Sequence, residues 1–330
     1  MAAAALNCWV ISDGRRGIEN QALGLAEAMS QMRPLKISKH HTTSSAIFQA
    51  LPPLLQLSMR GSPAEFGLPQ TVPNLVIGCG RQAIAPLLAI KKHWPESFTV
   101  YVQDPRIDPK RFDLVIAPEH DALSGPNVET MIGSPNRATR DRIAGETLEM
   151  AAQLKPLPMP RAAFLIGGDS KSHTLTEADC KAHLLAAEAF RAAGHSVLVS
   201  TSRRTPNHAR AAWREFARQH KTVWLYDSAG NTGEPNPYFA FLGGGDVLLV
   251  TQDSTNMLTE ACSTGKPVFT LPMQGKSGKF IQLYQALTTR CGVVPWAGQM
   301  SGEDYPALDE TTRIAEQVWA HMDSRGAVLN

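Results

Sequence analysis

The sequence predicts an α/β protein of two Rossmann-like, doubly wound domains with a cleft between them. Short apolar runs alternate with longer helical patterns along the whole chain, which is typical of parallel sheets covered by helices on both faces. A break with three prolines in seven residues, Lys155 to Arg161, interrupts this alternation, which then restarts. The length of 330 residues suits two domains. We therefore predict an N-terminal domain over 1–157 and a C-terminal domain over 158–330.

The N-terminal half contains four candidate strands, and each runs into a polar turn. In order they are NCWVIS, NLVIGCG, FTVYVQDP and FDLVIAPEH, and helical patterns follow the first, second and fourth. Between the first two strands, SSAIFQALPPLLQL has two interpretations. It is either a core helix kinked at Pro52 and Pro53 or a membrane- or partner-facing patch. The basic residues that would flank such a patch are Lys36, Lys39 and Arg60.

The C-terminal half repeats the alternation. Its candidate strands are AAFLIGG, SVLVST, TVWLYD, DVLLVT and PVFTLP, separated by helical patterns. The last helix, near Glu310 to His321, is a candidate for packing back onto the first domain. Polar motifs follow the predicted strands in both halves. Because open α/β sheets bind ligands at the carboxyl ends of their strands, we expect the binding site in the cleft between the domains.

Composition and charge argue against several classes of protein. A net charge of +2 is too small for a nucleic-acid-binding surface spread over the whole protein. The five cysteines are scattered, so we expect neither a disulfide framework nor a metal site, and we expect a reducing compartment. The N-terminus has no basic segment before its apolar run, and no apolar stretch reaches about 18 residues. We expect a cytoplasmic protein, and peripheral contact with the inner membrane remains open.

The stretch VTQDSTNMLTEACSTGKPV places polar residues between two apolar strands. Ser254 suits the N-cap of a short helix, so the amides of Thr255, Asn256 and Met257 would point outward unpaired and attract a phosphate. Asp253 and Glu260 are seven residues apart and lie near one helical face, where a carboxylate can accept two hydrogen bonds from a ribose diol. The alternative is a well-capped structural helix in which Glu260 forms a salt bridge.

Two further turns in this half carry candidate anion-binding residues. IGGDSK is a Gly-rich turn whose backbone could cradle a phosphate, and STSRRTP combines hydroxyls with two arginines suited to oxyanions. The alternatives are a tight turn before a helix cap and a solvated loop. The predicted ligand contacts in these turns are Gly167, Gly168, Ser170, Ser202, Arg203 and Arg204.

Acidic residues at predicted strand ends of the N-terminal half are the candidate catalytic groups. Glu19, in the loop SDGRRGIENQ, is a candidate general base, although a helix-start acid favoured by the helix dipole explains it equally well. Asp104 follows the third strand, and Glu119 and His120 follow the fourth. Such strand-end residues are commonly hydrogen-bonded surface groups.

The order of these motifs resembles the mitochondrial-fission (elongated-mitochondria) family. The matching stretches are SDGRRGIENQALGLAEAM, VQDPR, FDLVIAPEHD, IGGDSK, TSRRTP, NPYFAFL and VTQDSTNMLTEACSTGKPV, which span nearly the whole chain. Plant members act on the mitochondrial surface, and some bacterial members are labelled as predicted nucleoside-diphosphate-sugar epimerases. More distantly, the pattern is similar to the two-domain glycosyltransferase B superfamily.

The superfamily resemblance implies a donor nucleotide site in the C-terminal domain. By comparison with the lipid-linked muramyl-pentapeptide N-acetylglucosaminyltransferase, Glu260 corresponds to the ribose-binding glutamate. The histidine of that enzyme's first Gly-rich loop is absent here, where the sequence reads Gly17, Ile18, Glu19. Gln252 stands where retaining members have the first of two glutamates, which favours inverting chemistry.

The leading hypothesis is a glycosyltransferase-B-like protein that transfers a sugar from a nucleotide-sugar to a lipid-linked or envelope-type acceptor, without a metal or other cofactor. Glu19 or Asp104 would deprotonate the acceptor. Two alternatives remain. One is a non-catalytic adaptor that recruits a membrane-remodelling GTPase, as the family resemblance implies. The other is a nucleotide-sugar 2-epimerase that uses Asp104, Glu119 and His120.

Overall fold

The computed structural model describes residues 5–42, 46–230, 233–276, 278 and 280–326. The chain divides into two compact units. The first comprises Met1–Arg137 and Asp309–Asn330, and the second comprises Ala138–Leu308. Relative to the predicted ranges 1–157 and 158–330, the segment 138–157 therefore packs with the second unit, and the last helix packs with the first.

The first unit is built on a parallel six-stranded sheet with the order β2-β1-β3-β4-β5-β6. Because β3, β4 and β5 are buried along their whole length, their sequences are continuous apolar runs rather than alternating ones. The strands are β1 (Leu6–Ser12), β2 (Leu35–His41), β3 (Leu75–Cys79), β4 (Phe98–Val102), β5 (Leu114–Pro118) and β6 (Val128–Met131). The helices that connect them are α1 (Arg16–Met32), α2 (Ala46–Ala50), α3 (Pro53–Met59) and α4 (Arg81–His93).

The second unit contains a parallel six-stranded sheet with the order β10-β9-β7-β11-β12-β14. A short antiparallel ribbon joins β8 to β13. The strands are β7 (Arg161–Ile166), β8 (His173–Thr174), β9 (Ser196–Thr201), β10 (Val223–Asp227), β11 (Val247–Thr251), β12 (Val268–Leu271), β13 (Gln274–Gly275) and β14 (Val294–Pro295). The helices are α5 (Arg140–Glu149), α6 (Ala151–Leu154), α7 (Glu177–Ala192), α8 (Asn207–Gln219), α9 (Tyr238–Gly244), α10 (Thr255–Cys262) and α11 (Phe280–Cys291).

The last helix, α12 (Glu310–Ser324), returns to the first unit and packs on α1. Its apolar face joins the core that α1 forms with the first sheet. Trp319 Nε1 donates to the carbonyl of Met29 at 3.3 Å, and Arg33 makes two hydrogen bonds to Asp323 at 2.7 and 2.6 Å. The C-terminal segment therefore completes the hydrophobic core of the N-terminal unit.

The segment 44–57 does not form one kinked core helix. Residues 43–45 lie outside the described residues, and the rest forms two short helices, α2 and α3, that are separated at Leu51 and Pro52. Pro53 occupies the first turn of α3, where its missing N–H costs nothing. Two successive prolines thus end one helix and begin another. Within the described ranges, no helix is both long enough and apolar enough to cross a membrane.

Candidate functional site

Three loops meet at the carboxyl edge of the second sheet, because they follow the adjacent strands β9, β7 and β11. The chain runs from β7 outward to β9 and β10 and then returns to β11 on the other side of β7. Such a reversal of strand order is the point at which open α/β sheets bind ligands. The loops that begin at Gly167, Ser202 and Gln252 therefore lie at the edge of the sheet where a ligand was expected to bind.

The Asp253 carboxylate ties these three loops together. Its side chain is fully buried, and it accepts hydrogen bonds from Arg204 Nη2 at 2.6 Å, from the Gly168 amide at 3.1 Å and from Thr251 Oγ1 at 2.7 Å. A buried charge needs such partners. Asp253 therefore holds the loops in position from inside the protein, and its carboxylate does not face outward toward a ligand.

The two glycines of the first loop are explained by this contact. A Cβ atom added to Gly167 would lie 2.1 Å from Asp253 Oδ1, and one added to Gly168 would lie 2.0 Å from the carbonyl oxygen of Arg204. Both distances are far below van der Waals contact. Glycine is therefore required here by the close approach of neighbouring loops.

The expectation that this Gly-rich turn offers unpaired amides is wrong. The amide of Gly167 donates to Thr251 Oγ1 at 2.7 Å, and that of Ser170 donates to the carbonyl of His173 at 2.9 Å. The Gly168 amide is already bonded to Asp253. The physical reason is that the neighbouring loops, which follow parallel strands, bring hydroxyl, carboxylate and carbonyl acceptors close to the turn. Buried N–H groups then pair with these acceptors.

The start of α10 does carry unpaired amides. Ser254 is the N-cap, as predicted, and its Oγ accepts the Met257 N–H at 3.4 Å. The prediction that the Met257 amide is also unpaired is therefore wrong, because the capping hydroxyl that begins the helix takes this donor. The amides of Thr255 and Asn256 have no acceptor among the described residues. Both residues are partly exposed. This helix N-terminus therefore retains two donors and the positive end of the helix dipole.

The arginines of the loop after β9 have different environments. Arg204 is bonded to Asp253 and to the carbonyls of Gly168 and Asp169. Arg203 is exposed, and its guanidinium has no ion-pair partner within the described ranges. Ser202 Oγ accepts the Arg204 amide at 3.1 Å. Of these residues, Arg203 is the one whose charge remains available to an anion.

Glu260 forms a pair with Tyr238 that the motif analysis missed. Tyr238, the first residue of α9, donates its hydroxyl to Glu260 Oε2 at 2.5 Å. Burial raises the pKa of Glu260 to about 7, although the Tyr238 hydrogen bond opposes this rise. The predicted structural alternative, a salt bridge at Glu260, has no counterpart in the described part of the chain. Tyr238 lies in the stretch NPYFAFL, which carries part of the family resemblance, and this is the feature of the sequence that could have pointed to it.

Asn256 and Glu260 are four residues apart on α10, so they lie on one face of the helix. One turn, about 5.4 Å along the axis, separates the unpaired amides from the carboxylate. A helix end with two unpaired amides and a partly buried carboxylate thus follow each other along one short helix.

In the first unit, Glu19 lies in a cluster of polar side chains at the ends of β1 and β2. Its carboxylate contacts His41 Nε2, and it accepts hydrogen bonds from Lys39 Nζ at 3.3 Å and Ser12 Oγ at 3.4 Å. Burial pushes the pKa of Glu19 upward, but the hydrogen bonds from His41 and Lys39 outweigh it and leave the pKa below its usual value. Glu19 is therefore a weaker base than expected, and His41 is a residue that the motif analysis overlooked.

Asp104, at the end of β4, is engaged by Arg106. Its carboxylate accepts the Arg106 amide at 2.8 Å and lies 2.9 Å from Arg106 Nε. Gln103 and Arg106 adopt positive φ angles of 94° and 56°, which are unusual for non-glycine residues. A strained turn therefore follows this strand. A 3₁₀ turn, Glu119–Asp121, follows the adjacent strand β5 and carries Glu119 and His120.

Metal-ligating groups do not cluster in the described part of the chain. No group of three or more His, Cys, Asp or Glu side chains there could hold a metal ion. The five cysteines are free and buried.

Comparison with protein families gives one match over most of the chain. The family described as "Mitochondrial fission ELM1" matches residues 16–322. The mitochondrial fission protein ELM1 of Arabidopsis thaliana is 30% identical over 285 residues, which cover 77% of this chain and 65% of the plant protein. This chain thus spans less than two thirds of that relative's length. An uncharacterized protein of Rickettsia prowazekii is 24% identical over 305 residues, which cover 80% of this chain and 82% of that protein.

Solved structures with a similar fold include two UDP-GlcNAc 2-epimerases. The Neisseria meningitidis enzyme bound to UDP-GlcNAc has a TM-score of 0.55 and 13% identity, and the match covers 96% of this chain and all of that one. The Methanocaldococcus jannaschii enzyme in complex with UDP-GlcNAc and UDP has a TM-score of 0.53 and 11% identity, with coverage of 96% and 100%. At such identities the likeness shows the fold alone, which is glycosyltransferase-B-like.

Proposed function

The chain belongs to the mitochondrial fission ELM1 family, and from that premise we propose that it binds a nucleoside-diphosphate sugar at the carboxyl edge of its second sheet and transfers the sugar to an envelope-type acceptor. In this reaction the bond between the sugar and the diphosphate breaks, and a bond to an acceptor oxygen forms. The nucleoside diphosphate is the leaving group. The proton of the acceptor hydroxyl must pass to a base.

The observation that carries the proposal is the arrangement along α10. The amides of Thr255 and Asn256 suit the diphosphate, whose negative charge grows as the sugar leaves. One turn later, Glu260 suits the ribose diol. A nucleoside diphosphate presents an anion and a diol in this same order. Similar folds in UDP-GlcNAc 2-epimerases that contain UDP-GlcNAc support the ligand class.

The surrounding loops divide into supporting and contacting residues. Asp253 supports the loops rather than contacting the ligand, because its carboxylate is fully buried and already accepts hydrogen bonds from other parts of the protein. Arg203 brings a positive charge that no side chain of the described ranges neutralises. We assign ligand contact to Ser170, Ser202, Arg203, Thr255, Asn256 and Glu260. We assign support of the loops to Gly167, Gly168, Arg204 and Asp253.

On the acceptor side, the base is better assigned to the pair of Glu19 and His41 than to Glu19 alone. With Nε2 of His41 against the Glu19 carboxylate, Nδ1 is the nitrogen left to accept the hydroxyl proton. Glu19 would then orient the ring and stabilise the imidazolium that forms. Asp104 is less suited to this role, because Arg106 already occupies its carboxylate.

Replacing Glu260 with glutamine should weaken the binding of a nucleoside diphosphate at pH 8 by about tenfold, because a neutral amide accepts hydrogen bonds from the diol less strongly than a carboxylate. Isothermal titration calorimetry with UDP and GDP measures this. Glu177→Gln, at an exposed position in the first turn of α7, is the matched control and should bind as the wild type does. Equal affinity of the Glu260 variant and the wild type would remove Glu260 from the site.

A nucleotide-sugar 2-epimerase is the second candidate function. It is favoured by the fold shared with the UDP-GlcNAc 2-epimerases and by Asp104, Glu119 and His120 at the ends of adjacent strands. Incubation with UDP-GlcNAc alone separates the two reactions. Formation of the 2-epimer without an acceptor would support the epimerase. Failure of every nucleotide to bind, together with a GTPase that copurifies, would support the adaptor.

A further inference from the structure

The side chain of Lys266 binds the C-terminal end of α9. Its Nζ donates to the carbonyls of Leu242 at 3.3 Å, Gly243 at 2.6 Å and Gly245 at 2.6 Å. Because the chain turns from α9 directly into β11, no further helical turn supplies N–H donors to these carbonyls. An ammonium group also suits the negative end of a helix dipole. Lys266 therefore supplies the donors that the short helix lacks at this end.

The other end of α9 contacts the same stretch of the chain. Tyr238, the first residue of α9, donates its hydroxyl to Glu260 Oε2 at 2.5 Å. Glu260 lies in α10 and Lys266 lies in the turn that follows, six residues later. With seven residues, α9 is only about 10 Å long. Both ends of this short helix are therefore attached to side chains of the stretch 260–266.

The charged groups around Lys266 and Glu260 are different. The acids that act on Lys266 are Asp246 and Asp304. Among the described residues, Tyr238 is the titratable side chain that contacts Glu260, and burial is the larger influence on the Glu260 pKa. Burial and the carboxylate raise the pKa of Tyr238 above its ordinary value, so the hydroxyl keeps its proton and donates. An effect of Lys266 on Glu260 would therefore pass through α9.

We propose that Lys266 is a positioning residue for the proposed nucleotide site, because it fixes α9 so that the Tyr238 hydroxyl stays on the Glu260 carboxylate. This hydrogen bond favours the ionised carboxylate, which is the form that accepts hydrogen bonds from a ribose diol. Without Lys266 the three carbonyls would lack a donor, and α9 would shift until other donors reached them, which would break the Tyr238 hydrogen bond. The inference rests on the proposed function for the role of Glu260, whereas the contact itself can be measured without a ligand.

Carbon-13 NMR of the ligand-free protein with labelled glutamate side chains tests the positioning role. The Glu260 signal is identified by its loss in Glu260→Gln, and in the wild type it should titrate with a pKa of about 7. Lys266→Met should raise this midpoint by about one pH unit, as expected for the loss of one hydrogen bond to a carboxylate. Tyr238→Phe should raise it equally, and the double variant should raise it no further, because both changes break the same contact. A shift caused directly by the lysine charge would persist in the Tyr238→Phe background and would refute the positioning role.

Arg81→Met is the matched control. In the first unit, Arg81 donates to three carbonyls at the end of another short helix, α2, namely those of Gln49 at 2.6 Å, Ala50 at 3.1 Å and Leu51 at 2.7 Å. Its loss should also lower the melting temperature but should leave the Glu260 midpoint unchanged. An unchanged midpoint in Lys266→Met would likewise refute the positioning role. If Lys266→Met does not fold, Lys266→Gln, whose amide still donates, should raise the midpoint by a smaller amount.

Calorimetry with UDP and GDP tests the link to nucleotide binding. At pH 7, a rise in the Glu260 pKa from about 7 to about 8 lowers the ionised fraction from about a half to about a tenth. Lys266→Met should therefore bind the nucleotide about fivefold more weakly at pH 7, and the difference should disappear at pH 9, where the carboxylate is ionised in both proteins. Failure of both nucleotides to bind the wild type would count against the proposed function and leave the NMR result standing. Equal affinity of Lys266→Met and the wild type at pH 7, despite a shifted midpoint, would separate Lys266 from nucleotide binding and overturn the inference.

Discussion

Replacing Asp253 with asparagine should lower the free energy of unfolding by about 3 kcal/mol, because it leaves the donors that now meet a buried carboxylate without their charged partner. Arg204, Gly168 and Thr251 all donate to this side chain, which is fully buried. We place the loss at the lower end of the range for buried ion pairs, since the Arg204 side chain is 43% exposed and water can replace part of the interaction. Urea denaturation of the variant and the wild type measures the difference.

Glu215→Gln is the control for this experiment. Glu215 pairs with Arg218 at 2.7 Å on the exposed face of α8, and the pair is open to water, so its loss should leave the midpoint of unfolding unchanged. If Asp253→Asn unfolded at the same urea concentration as the wild type, the carboxylate would not hold the three loops together. The stability measurement needs no ligand, so it tests the structural role of Asp253 apart from the proposed function.

The central strands of both sheets could be predicted from the sequence because they are buried on both faces, whereas the partly exposed edge strands β2 and β6 were not predicted. In β3, β7 and β11 nearly every residue is buried, and the apolar runs that result are visible without knowledge of the tertiary structure. The local cap at Ser254 was also predictable, since Ser254 and the Met257 amide it accepts are three residues apart.

The partners of the site residues could not be predicted, because they come from distant parts of the chain. Arg204 and Asp253 are 49 residues apart, and they meet only because β9 and β11 flank β7. Tyr238 and Glu260 are 22 residues apart. A sequence pattern indicates that a carboxylate follows a strand, but the strand order decides whether that carboxylate faces a ligand or a neighbouring loop.

The boundary between the two units also depends on contacts that the sequence does not reveal. The prolines between Lys155 and Arg161 mark a real interruption of helix, yet α5 and α6 precede it and belong to the second unit. Packing of α5 against α9 decides this, and Ile143 of α5 lies against Gly243 of α9. Side-chain contacts between distant helices do not change the local composition of the sequence, so they could not be predicted from it.

The pH dependence of stability should carry a contribution from Glu260. Its pKa in the folded protein is about 7, raised by burial above the ordinary value of 4.5. The folded state therefore holds this proton more tightly than the unfolded chain does. The resulting stabilisation is fully present below pH 4.5 and is lost as the pH rises through 7, and it amounts to at most about 3 kcal/mol. Glu260→Gln should remove this contribution, so its unfolding free energy should fall less between pH 5 and pH 8 than that of the wild type.

The same proton should couple to nucleotide binding. A ribose diol that donates two hydrogen bonds favours the ionised carboxylate, so UDP or GDP should bind about tenfold more tightly at pH 8 than at pH 6 through Glu260. The phosphates of the ligand also titrate in this range. The Glu260→Gln variant measures the pH dependence of binding that comes from the phosphates alone. Calorimetry in buffers of different ionisation enthalpy should show that wild-type binding at pH 6.5 releases a larger fraction of a proton than binding to the variant does. Equal proton release by the two proteins would mean that the Glu260 carboxylate does not meet the ribose.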